Sequence, residues 1–307
     1  MKKDYKEVVV TGGTGFLGTR LKIIKPNWIY LSSKDIDLTK TRNFSEFLLD
    51  YKIEAVIHLA AKTGGIEKSI KNQSDFHFYN SLISMNVLRQ SYEAGVSRVL
   101  SCLSTCCYPD ISQSYPMKES FILSGVPAES NYGYALAKRE LYNQTNFYRK
   151  IYNLNYSTFT PCNLYGPGSN FDNEGSHFIA SLIKKLVNSK DGDIMKLLGT
   201  GRPLRQHLYI DDLAKLIPLL LLDHNTEVPI NIAPIENYSI NEISELAVKL
   251  VDKKITIEYT NTTDGQLRKD VDNSYLMLLT NNISFTSIEE GLINTIEWYK
   301  LNSKLYS

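Results

Sequence analysis

VVVTGGTGFLG, residues 8–18, is the stretch of sequence that decides the fold. Its three valines predict a buried strand, and the glycines at positions 12, 15 and 18 follow that strand directly. Glycines at this spacing allow a tight turn from strand to helix and let backbone N–H groups approach a pyrophosphate at the helix N-terminus. The stretch therefore predicts the first βαβ unit of a dinucleotide-binding domain. The alternative is a glycine-rich turn that holds no ligand.

Strand-like apolar runs alternate with amphipathic segments in the first half of the chain. Strands are predicted near 8–11, 28–31, 55–59, 99–103 and 157–160, and helices near 41–51, 75–94 and 132–152. This alternation predicts an α/β protein with a Rossmann-type, doubly wound parallel sheet. After a loop rich in Gly, Asn and Asp at 166–175, the elements become mixed and short, with helices near 177–188, 240–251 and 288–300.

The composition is that of an ordinary globular protein, with 43% hydrophobic and 22% charged residues. The 34 basic and 33 acidic residues are scattered along the chain, so we expect neither a nucleic-acid nor a membrane partner. The start shows no signal-peptide pattern, and the longest apolar run, 216–222, is far shorter than the ~20 residues of a spanning helix. We therefore expect a cytoplasmic protein. The four cysteines contain no C-x-x-C pair, which predicts free thiols and no metal site.

The end of the second predicted strand indicates which dinucleotide binds. An acidic residue about 20 residues after the glycine loop would bind the ribose hydroxyls of NAD. Ser32, Ser33 and Lys34 stand there instead, and two hydroxyls with a cation suit a 2′-phosphate. NADPH/NADP+ is therefore the predicted cofactor. The alternative for Lys34 is an ordinary solvated lysine.

A serine, a tyrosine and a lysine form a candidate catalytic set. Tyr134 and Lys138 are four residues apart, which places both side chains on one face of a helix. A nearby ammonium stabilises a phenolate, so we expect Lys138 to lower the pKa of Tyr134. Ser104 follows the fourth predicted strand, and the carboxyl ends of parallel strands line the ligand crevice. Ser104 is thus expected to bind a substrate carbonyl beside Tyr134.

Several motifs together resemble the extended short-chain dehydrogenase/reductase family, in the same order and over almost the full length. More narrowly, they resemble its GDP-4-keto-6-deoxy-sugar reductases, including the 3,5-epimerase/4-reductases that form GDP-L-fucose. The motifs are VTGGTGFLG (10–18), HLAAKTGGI (58–66), SCLSTCCYPD (101–110), NYGYALAKRE (131–140), NLYGPGSNF (163–171), GTGRPLRQHLYIDDLA (199–214) and DGQLRK (264–269).

The resemblance implies that Ser104, Tyr134 and Lys138 carry out the reduction. NADPH would deliver hydride to the sugar carbonyl carbon, Tyr134 would protonate the oxygen, and Ser104 would stabilise the developing charge. Lys138 would also hold the nicotinamide ribose. The implied cofactor-binding residues are Gly12, Thr14, Gly15, Phe16, Leu17, Gly18, Ser32, Ser33, Lys34, Asp37, Leu38, Leu59, Ala60, Ala61, Tyr134 and Lys138.

The same resemblance assigns a base and an acid. A 4-keto group acidifies the C–H bonds of both flanking carbons, and a base on one face with an acid on the other inverts each centre. Cys106 matches the base and His177 the acid. The alternatives are a small buried cysteine and a histidine with a local hydrogen bond. Cys107 is expected to pack, because a disulfide between neighbours would be strained, and Cys102 and Cys162 are expected to be structural.

The implied substrate-binding residues supply cations and donors for a nucleotide diphosphate. They are Thr105, Asn163, Lys185, Arg205, Asp264, Arg268 and Lys269. The alternative for each charged residue is a solvated surface position. Four positions depart from the residues usual in the resembled enzymes, namely Cys162, Ala180, Lys185 and Leu198. These departures leave the sugar, and the epimerisation, open.

Three functions follow from these residues. The first is NADPH-dependent reduction of the 4-keto group of a GDP-4-keto-6-deoxy hexose, coupled to 3,5-epimerisation. The second is reduction alone, on a GDP-4-keto-6-deoxy-heptose in bacterial surface-polysaccharide synthesis. The third is a non-catalytic NADPH-binding module. By resemblance, residues 1–164 with 206–235 form the NADP(H)-binding domain, residues 165–205 and 236–307 the GDP-sugar domain, and helices 75–94 and 132–152 a homodimer interface.

Overall fold

The computed structural model describes residues 5–171, 176–261 and 264–306. The predicted α/β fold is confirmed, because β10-β5-β4-β3-β1-β2 form one six-stranded parallel sheet. The strands are β1 (Val8–Thr11), β2 (Ile29–Leu31), β3 (Ala55–His58), β4 (Arg98–Cys102), β5 (Asn155–Pro161), β6 (Asn163–Tyr165), β7 (Ile194–Leu197), β8 (Leu204–Arg205), β9 (His207–Tyr209), β10 (Ile230–Ile232), β11 (Tyr238–Ser239), β12 (Thr256–Tyr259) and β13 (Arg268–Lys269).

Helices connect these strands and cover the sheet. They are α1 (Phe16–Ile24), α2 (Asn43–Asp50), α3 (Ile66–Lys71), α4 (Gln73–Glu93), α5 (Tyr132–Tyr152), α6 (Phe178–Asn188), α7 (Ile210–Asp223), α8 (Ile240–Val251), α9 (Ser274–Thr280) and α10 (Ile288–Asn302). Strands β1 and β3 are buried along their whole length, which explains their continuous apolar runs. Helix α4 packs on α5, and α1 packs on α7.

Helix α7 is absent from the sequence prediction, because Pro218 interrupts its apolar run. Proline removes one intrahelical hydrogen bond, yet the helix forms because it buries Leu213, Ile217 and Leu220 completely in the core. A bidentate ion pair between Arg20 and Asp211 also joins α1 to α7, with N···O distances of 2.5 and 2.7 Å. The core therefore overrides the local propensity.

Two hydrophobic clusters divide the interior. One lies around the six-stranded sheet, and the other lies between α6, α8 and α10. Strand β10 pairs with β5 in the register Asn231 to Thr160. The domain division made from the sequence stays a prediction, and residues 172–175 of the predicted 166–175 loop lie outside the described residues.

Within residues 5–171, 176–261 and 264–306, no helix is long and apolar enough to cross a bilayer.

Candidate active site

The glycine loop connects β1 to the N-terminus of α1. Gly12 has φ +70°, and a Cβ there would lie 2.8 Å from the Ala60 nitrogen. A Cβ on Gly18 would lie 2.5 Å from the Gly12 oxygen, so both positions require glycine. Gly15 is the N-cap of α1 without a side-chain cap. The backbone cradle at a helix N-terminus therefore fits a pyrophosphate.

A second predicted cofactor segment lies directly against this loop. The Leu59 N–H donates to the Thr11 carbonyl oxygen at 3.2 Å, and the Ala60 N–H donates to the Thr11 hydroxyl at 3.3 Å. The structure thus brings the Leu59–Ala60–Ala61 segment and the glycine loop together at the ends of β3 and β1. Thr14 is exposed, whereas Leu17 is buried.

The turn after β2 contains a carboxylate that the sequence analysis missed. Asp35 accepts hydrogen bonds from the Ser32 N–H at 2.8 Å and the Ser32 hydroxyl at 2.6 Å. These bonds hold the pKa of Asp35 below its usual value. Ser33 and Lys34 are exposed on the same turn and are open to a ligand. Nearby, Asp37 accepts two hydrogen bonds from Thr39, and the Leu38 carbonyl accepts one from Asn86.

Ser104, Tyr134 and Lys138 meet at the end of β4. Ser104 caps the short 3₁₀ helix Thr105–Cys107, and its hydroxyl oxygen accepts the Cys106 N–H at 3.2 Å. The same hydroxyl lies near enough to the buried Tyr134 phenol to lower its pKa. Lys138, which is buried, donates to the Cys102 carbonyl oxygen at 2.8 Å. The three groups are close enough to act on one substrate carbonyl.

The expected lowering of the Tyr134 pKa is wrong. Burial raises the pKa of Tyr134 well above its ordinary value, the neighbouring cysteines raise it further, and the Ser104 hydroxyl opposes them only in part. The Lys138 ammonium lies 5.8 Å from the ring centroid and is held by the Cys102 carbonyl. Tyr134 is therefore protonated in this state, as a proton donor must be.

Two N–H donors converge on the Cys106 sulfur. Lys269 Nζ and Asn131 Nδ2 each lie 3.1 Å from Sγ. Burial raises the pKa of Cys106, but the Lys269 charge, the Ser104 and Lys269 hydrogen bonds and the Arg205 charge outweigh it, so the pKa is lowered. A thiolate at this position is consequently stabilised.

The other three cysteines behave in the opposite way. Burial raises the pKa of Cys102 to about 11 and that of Cys107 to about 12. Burial also raises the pKa of Cys162. These thiols therefore stay protonated at neutral pH, and all four cysteines are free.

His177 forms the N-cap of α6, and its side chain is exposed. Surrounding protein atoms lower its pKa by desolvation, and the nearby Lys269 charge lowers it further. Lys269 thus lies within electrostatic reach of both Cys106 and His177. The charge of this lysine therefore acts on both the predicted base and the predicted acid.

The predicted substrate-binding residues are only partly free for a ligand. Arg205 donates to the carbonyl oxygens of Leu204 and Gln266 at 2.7 and 2.6 Å. Asp264 accepts from the Thr200 N–H at 2.8 Å and the Thr200 hydroxyl at 2.6 Å, which lowers its pKa against the effect of desolvation. Asp264 therefore holds the turn that precedes Arg205.

Three further predicted residues have protein partners or are buried. Arg268 forms a bidentate pair with Asp270 at 2.7 and 2.9 Å. Asn163 donates to the Gln206 carbonyl at 2.9 Å. Thr105 is buried, whereas Lys185 is exposed on α6.

A cleft of about 510 Å³ lies beside this group. Its walls include Asp110, Tyr115 and Glu129 together with Asp264 and Arg268. Lys269 follows Arg268 in β13 and is 8% exposed. The cleft therefore adjoins the Cys106 site and can accept part of a nucleotide-sized ligand.

Comparison with known proteins shows to which family this chain is related. The sequence profile of the NAD dependent epimerase/dehydratase family matches residues 8–233. The chain belongs to this family. It is 35% identical to the probable GDP-L-fucose synthase of Drosophila melanogaster, over 96% of this chain and 97% of that protein. The predicted resemblance to extended short-chain dehydrogenase/reductases is thus confirmed, and so is the assignment to enzymes.

Two solved structures resemble this epimerase/dehydratase family member closely in shape. A GDP-L-fucose synthetase from Naegleria fowleri bound to NADP has a TM-score of 0.90 at 30% identity, covering 100% of this chain and 96% of that chain. A GDP-6-OMe-4-keto-L-xylo-heptose reductase from C. jejuni also has a TM-score of 0.90, covering 97% of this chain and 98% of that chain. At 21% identity the second likeness shows a shared fold alone.

Sequence reasoning missed one residue and one contact in this epimerase/dehydratase site. Asn131 opens the NYGYALAKRE motif, three residues before Tyr134, but an asparagine at that position carries no signal of a contact with Cys106. Lys269 was identified as a substrate ligand, and its contact with Cys106 spans 163 residues. Only the folded chain shows that contact.

Proposed function

We propose that this protein is an NADPH-dependent reductase of the 4-keto group of a GDP-linked 4-keto-6-deoxy sugar. The observation that carries the proposal is the meeting of Tyr134 and Lys138 at the end of β4, beside Ser104: the Lys138 ammonium lies 5.8 Å from the Tyr134 ring centroid and donates to the Cys102 carbonyl oxygen. Ser104 polarises the sugar carbonyl, and the protonated Tyr134 gives its proton to the carbonyl oxygen. The names of relatives such as the GDP-L-fucose synthase of Drosophila melanogaster support a GDP-sugar substrate.

In this proposal the glycine loop, the turn after β2 and the segment after β3 hold the cofactor. Bound NADPH supplies the hydride that reduces the carbonyl carbon. Lys34 recognises the 2′-phosphate, and the N-terminus of α1 recognises the pyrophosphate. Residues 1–164 with 206–235 serve the cofactor, and residues 165–205 and 236–307 serve the sugar nucleotide. A reactive thiol at Cys106 suits the reducing cytoplasm, where we place the enzyme.

The stabilised Cys106 thiolate supports 3,5-epimerisation before reduction. Cys106 takes a proton from a carbon beside the keto group, the electron pair moves onto the keto oxygen, and His177 returns a proton on the opposite face. The 3.1 Å contact between Lys269 and Cys106 has a role in epimerisation and none in the reduction by Tyr134. We therefore favour a GDP-4-keto-6-deoxy hexose over the heptose alternative.

One incubation separates the functions. The protein is mixed with NADPH and GDP-4-keto-6-deoxy-mannose in deuterated water, and cofactor oxidation and deuterium at sugar carbons 3 and 5 are followed together. We expect both signals. Oxidation without deuterium would establish reduction alone, with the heptose counterpart as the next substrate. NADPH binding without turnover on either sugar would leave a non-catalytic NADPH-binding module.

A homodimer through α4 and α5 is part of the proposal. A groove of about 480 Å³ lies on this helix pair. Phe78 and Phe147 line it and are each 59% exposed, which is unfavourable for a free surface. Light scattering should give twice the chain mass for the wild type and for Ile23→Glu, an exposed position on α1, but a monomer for Phe78→Glu with Phe147→Glu. A monomeric wild type would refute the interface.

A further inference from the structure

Cys106 is held by groups from two distant parts of the chain. Asn131 reaches it from the end of the 3₁₀ helix Glu129–Asn131, and Lys269 reaches it from β13. Both bonds to Sγ are 3.1 Å long, and Lys269 is only 8% exposed. Within the part of the chain that the structure describes, Lys269 forms no ion pair with a carboxylate, and the Cys106 sulfur is the atom that its ammonium touches.

The other groups near Cys106 are one cation and several neutral side chains. Arg205 acts on the thiol through its positive charge, and the Ser104 hydroxyl, which accepts the Cys106 backbone N–H at 3.2 Å, also lowers the thiol pKa. The Cys107 thiol and the Tyr134 phenol also lie within electrostatic reach, and burial keeps both protonated. Among the residues that the structure describes, Lys269 is therefore the one cation that hydrogen-bonds the Cys106 sulfur. Arg205 acts on the sulfur through its charge alone.

The Lys269 ammonium has the opposite effect on the charged form of His177. A positive charge favours a nearby thiolate and disfavours a nearby imidazolium. Lys269 is the charged group that acts on the His177 ring. Because His177 is exposed, it can exchange protons with solvent. One lysine thus increases the ionised fraction of the base and strengthens the acid.

We propose that Lys269 is a positioning residue that holds the Cys106 sulfur as a thiolate, with Asn131 orienting it, and that the same charge reaches His177. The inference rests on the epimerisation in the proposed function. In each inversion a C–H bond breaks, an S–H bond forms on Cys106, and the electron pair moves to the keto oxygen. An imidazolium proton from His177 then forms the new C–H bond, and solvent resets both groups.

Thiol alkylation tests the Cys106 side of this proposal without any substrate. The rate of Cys106 labelling by iodoacetamide is measured against pH by peptide mass spectrometry. We expect Lys269→Met to slow labelling near neutral pH about tenfold and to move its inflection to higher pH, because one opposite charge is lost. Lys269→Arg keeps the charge and should resemble the wild type. An unchanged inflection in Lys269→Met overturns the proposal.

The wild type supplies a second test in case Lys269→Met does not fold, which NADPH binding would show. Cys106 must be labelled faster than Cys102 and Cys107, and Asn131→Ala must slow its labelling, because one of the two donors to the sulfur is lost. Equal labelling of the three wild-type cysteines contradicts the proposal. A protein that labels as expected but turns over no GDP-sugar would refute the proposed function while leaving the thiolate contact intact.

The pH profile of deuterium exchange tests both groups together. Exchange needs ionised Cys106 and protonated His177, which gives a bell-shaped profile. Loss of the Lys269 charge raises the pKa of each group, so the whole bell of Lys269→Met should move to higher pH. A merely structural lysine would lower the bell without moving it. Lys269→Arg should leave it in place, and a bell that only loses height in Lys269→Met contradicts the proposal.

Discussion

The Lys138 ammonium donates to the Cys102 carbonyl oxygen at 2.8 Å while it lies 5.8 Å from the centre of the Tyr134 ring. Lysine and tyrosine are thus neighbours on α5, but the lysine is anchored to the end of β4. Burial consequently dominates the phenol and keeps it protonated. The reduction proposed above needs this proton, and the buried phenol retains it.

Tyr134→Phe should abolish reduction because the ring remains and only the acidic proton is lost. General acid catalysis contributes about 10²- to 10⁴-fold, and we expect a loss in this range in the rate of NADPH oxidation. Tyr132→Phe is the matched control, since Tyr132 lies on the same helix and is 40% exposed. Full activity of Tyr134→Phe would refute its assignment.

Cys106→Ser should separate the two activities. A hydroxyl is far less acidic than a thiol, so it cannot supply the anion that removes the sugar proton. We expect deuterium incorporation at carbons 3 and 5 to fall about 10²-fold or more, while reduction of an already epimerised substrate continues. Cys102→Ser is the control, because Lys138 contacts only the Cys102 backbone carbonyl. Normal deuterium exchange by Cys106→Ser would show that Cys106 is not the base.

The sequence predicts the scaffold better than the electrostatics. The glycine loop, the strand ends and the spacing of Tyr134 and Lys138 are local patterns, and local patterns determine where elements begin. The contact between Lys269 and Cys106 depends on β13 pairing with β8, which no local pattern indicates. The direction of the Tyr134 pKa was wrong because spacing along a helix does not reveal how deeply a ring is buried.

Lys34→Ala should weaken NADPH binding selectively. Lys34 is exposed on the turn after β2, where its charge can reach the 2′-phosphate of the cofactor. We expect the KM for NADPH to rise about tenfold with little change in the KM for NADH, as for the loss of one charged hydrogen bond. Lys40→Ala, an exposed position farther along the same loop, should leave both values unchanged. An equal rise for both cofactors would argue against recognition of the 2′-phosphate.

Three buried histidines should make the free energy of unfolding fall as the pH becomes acidic. Burial lowers the pKa of His58 and His207 to about 3 and that of His224 to about 4. The unfolded chain binds these protons near pH 6.5, so it holds more protons than the folded chain between about pH 6.5 and 4. Lowering the pH through this window therefore favours unfolding.

Urea denaturation at several pH values measures this dependence. Each histidine should contribute about 1.4 kcal/mol per pH unit to the slope of the unfolding free energy below its unfolded pKa. His207→Gln should remove one such contribution below about pH 6 and leave the slope above about pH 7 unchanged. An unaltered acid slope in this variant would show that His207 is protonated in the folded protein.

Arg98 is a completely buried arginine whose partners are carbonyl oxygens. Its guanidinium donates to Leu220, Leu221 and His224 at the C-terminus of α7, at 2.9, 2.8 and 3.1 Å. It also donates to the Ser157 hydroxyl at 2.8 Å. Burial lowers its pKa to about 10, so it remains charged at neutral pH. The negative end of the helix dipole compensates this charge.

Arg98→Met should lower the free energy of unfolding by about 3 kcal/mol or more, because methionine leaves several buried carbonyl oxygens without donors. Arg89→Met is the matched control. Arg89 forms an exposed pair with Glu93 on α4, and such solvent-screened pairs contribute little to stability. Urea denaturation followed by circular dichroism compares the two variants. Similar losses for both would mean that α7 does not depend on Arg98 for its C-terminal end.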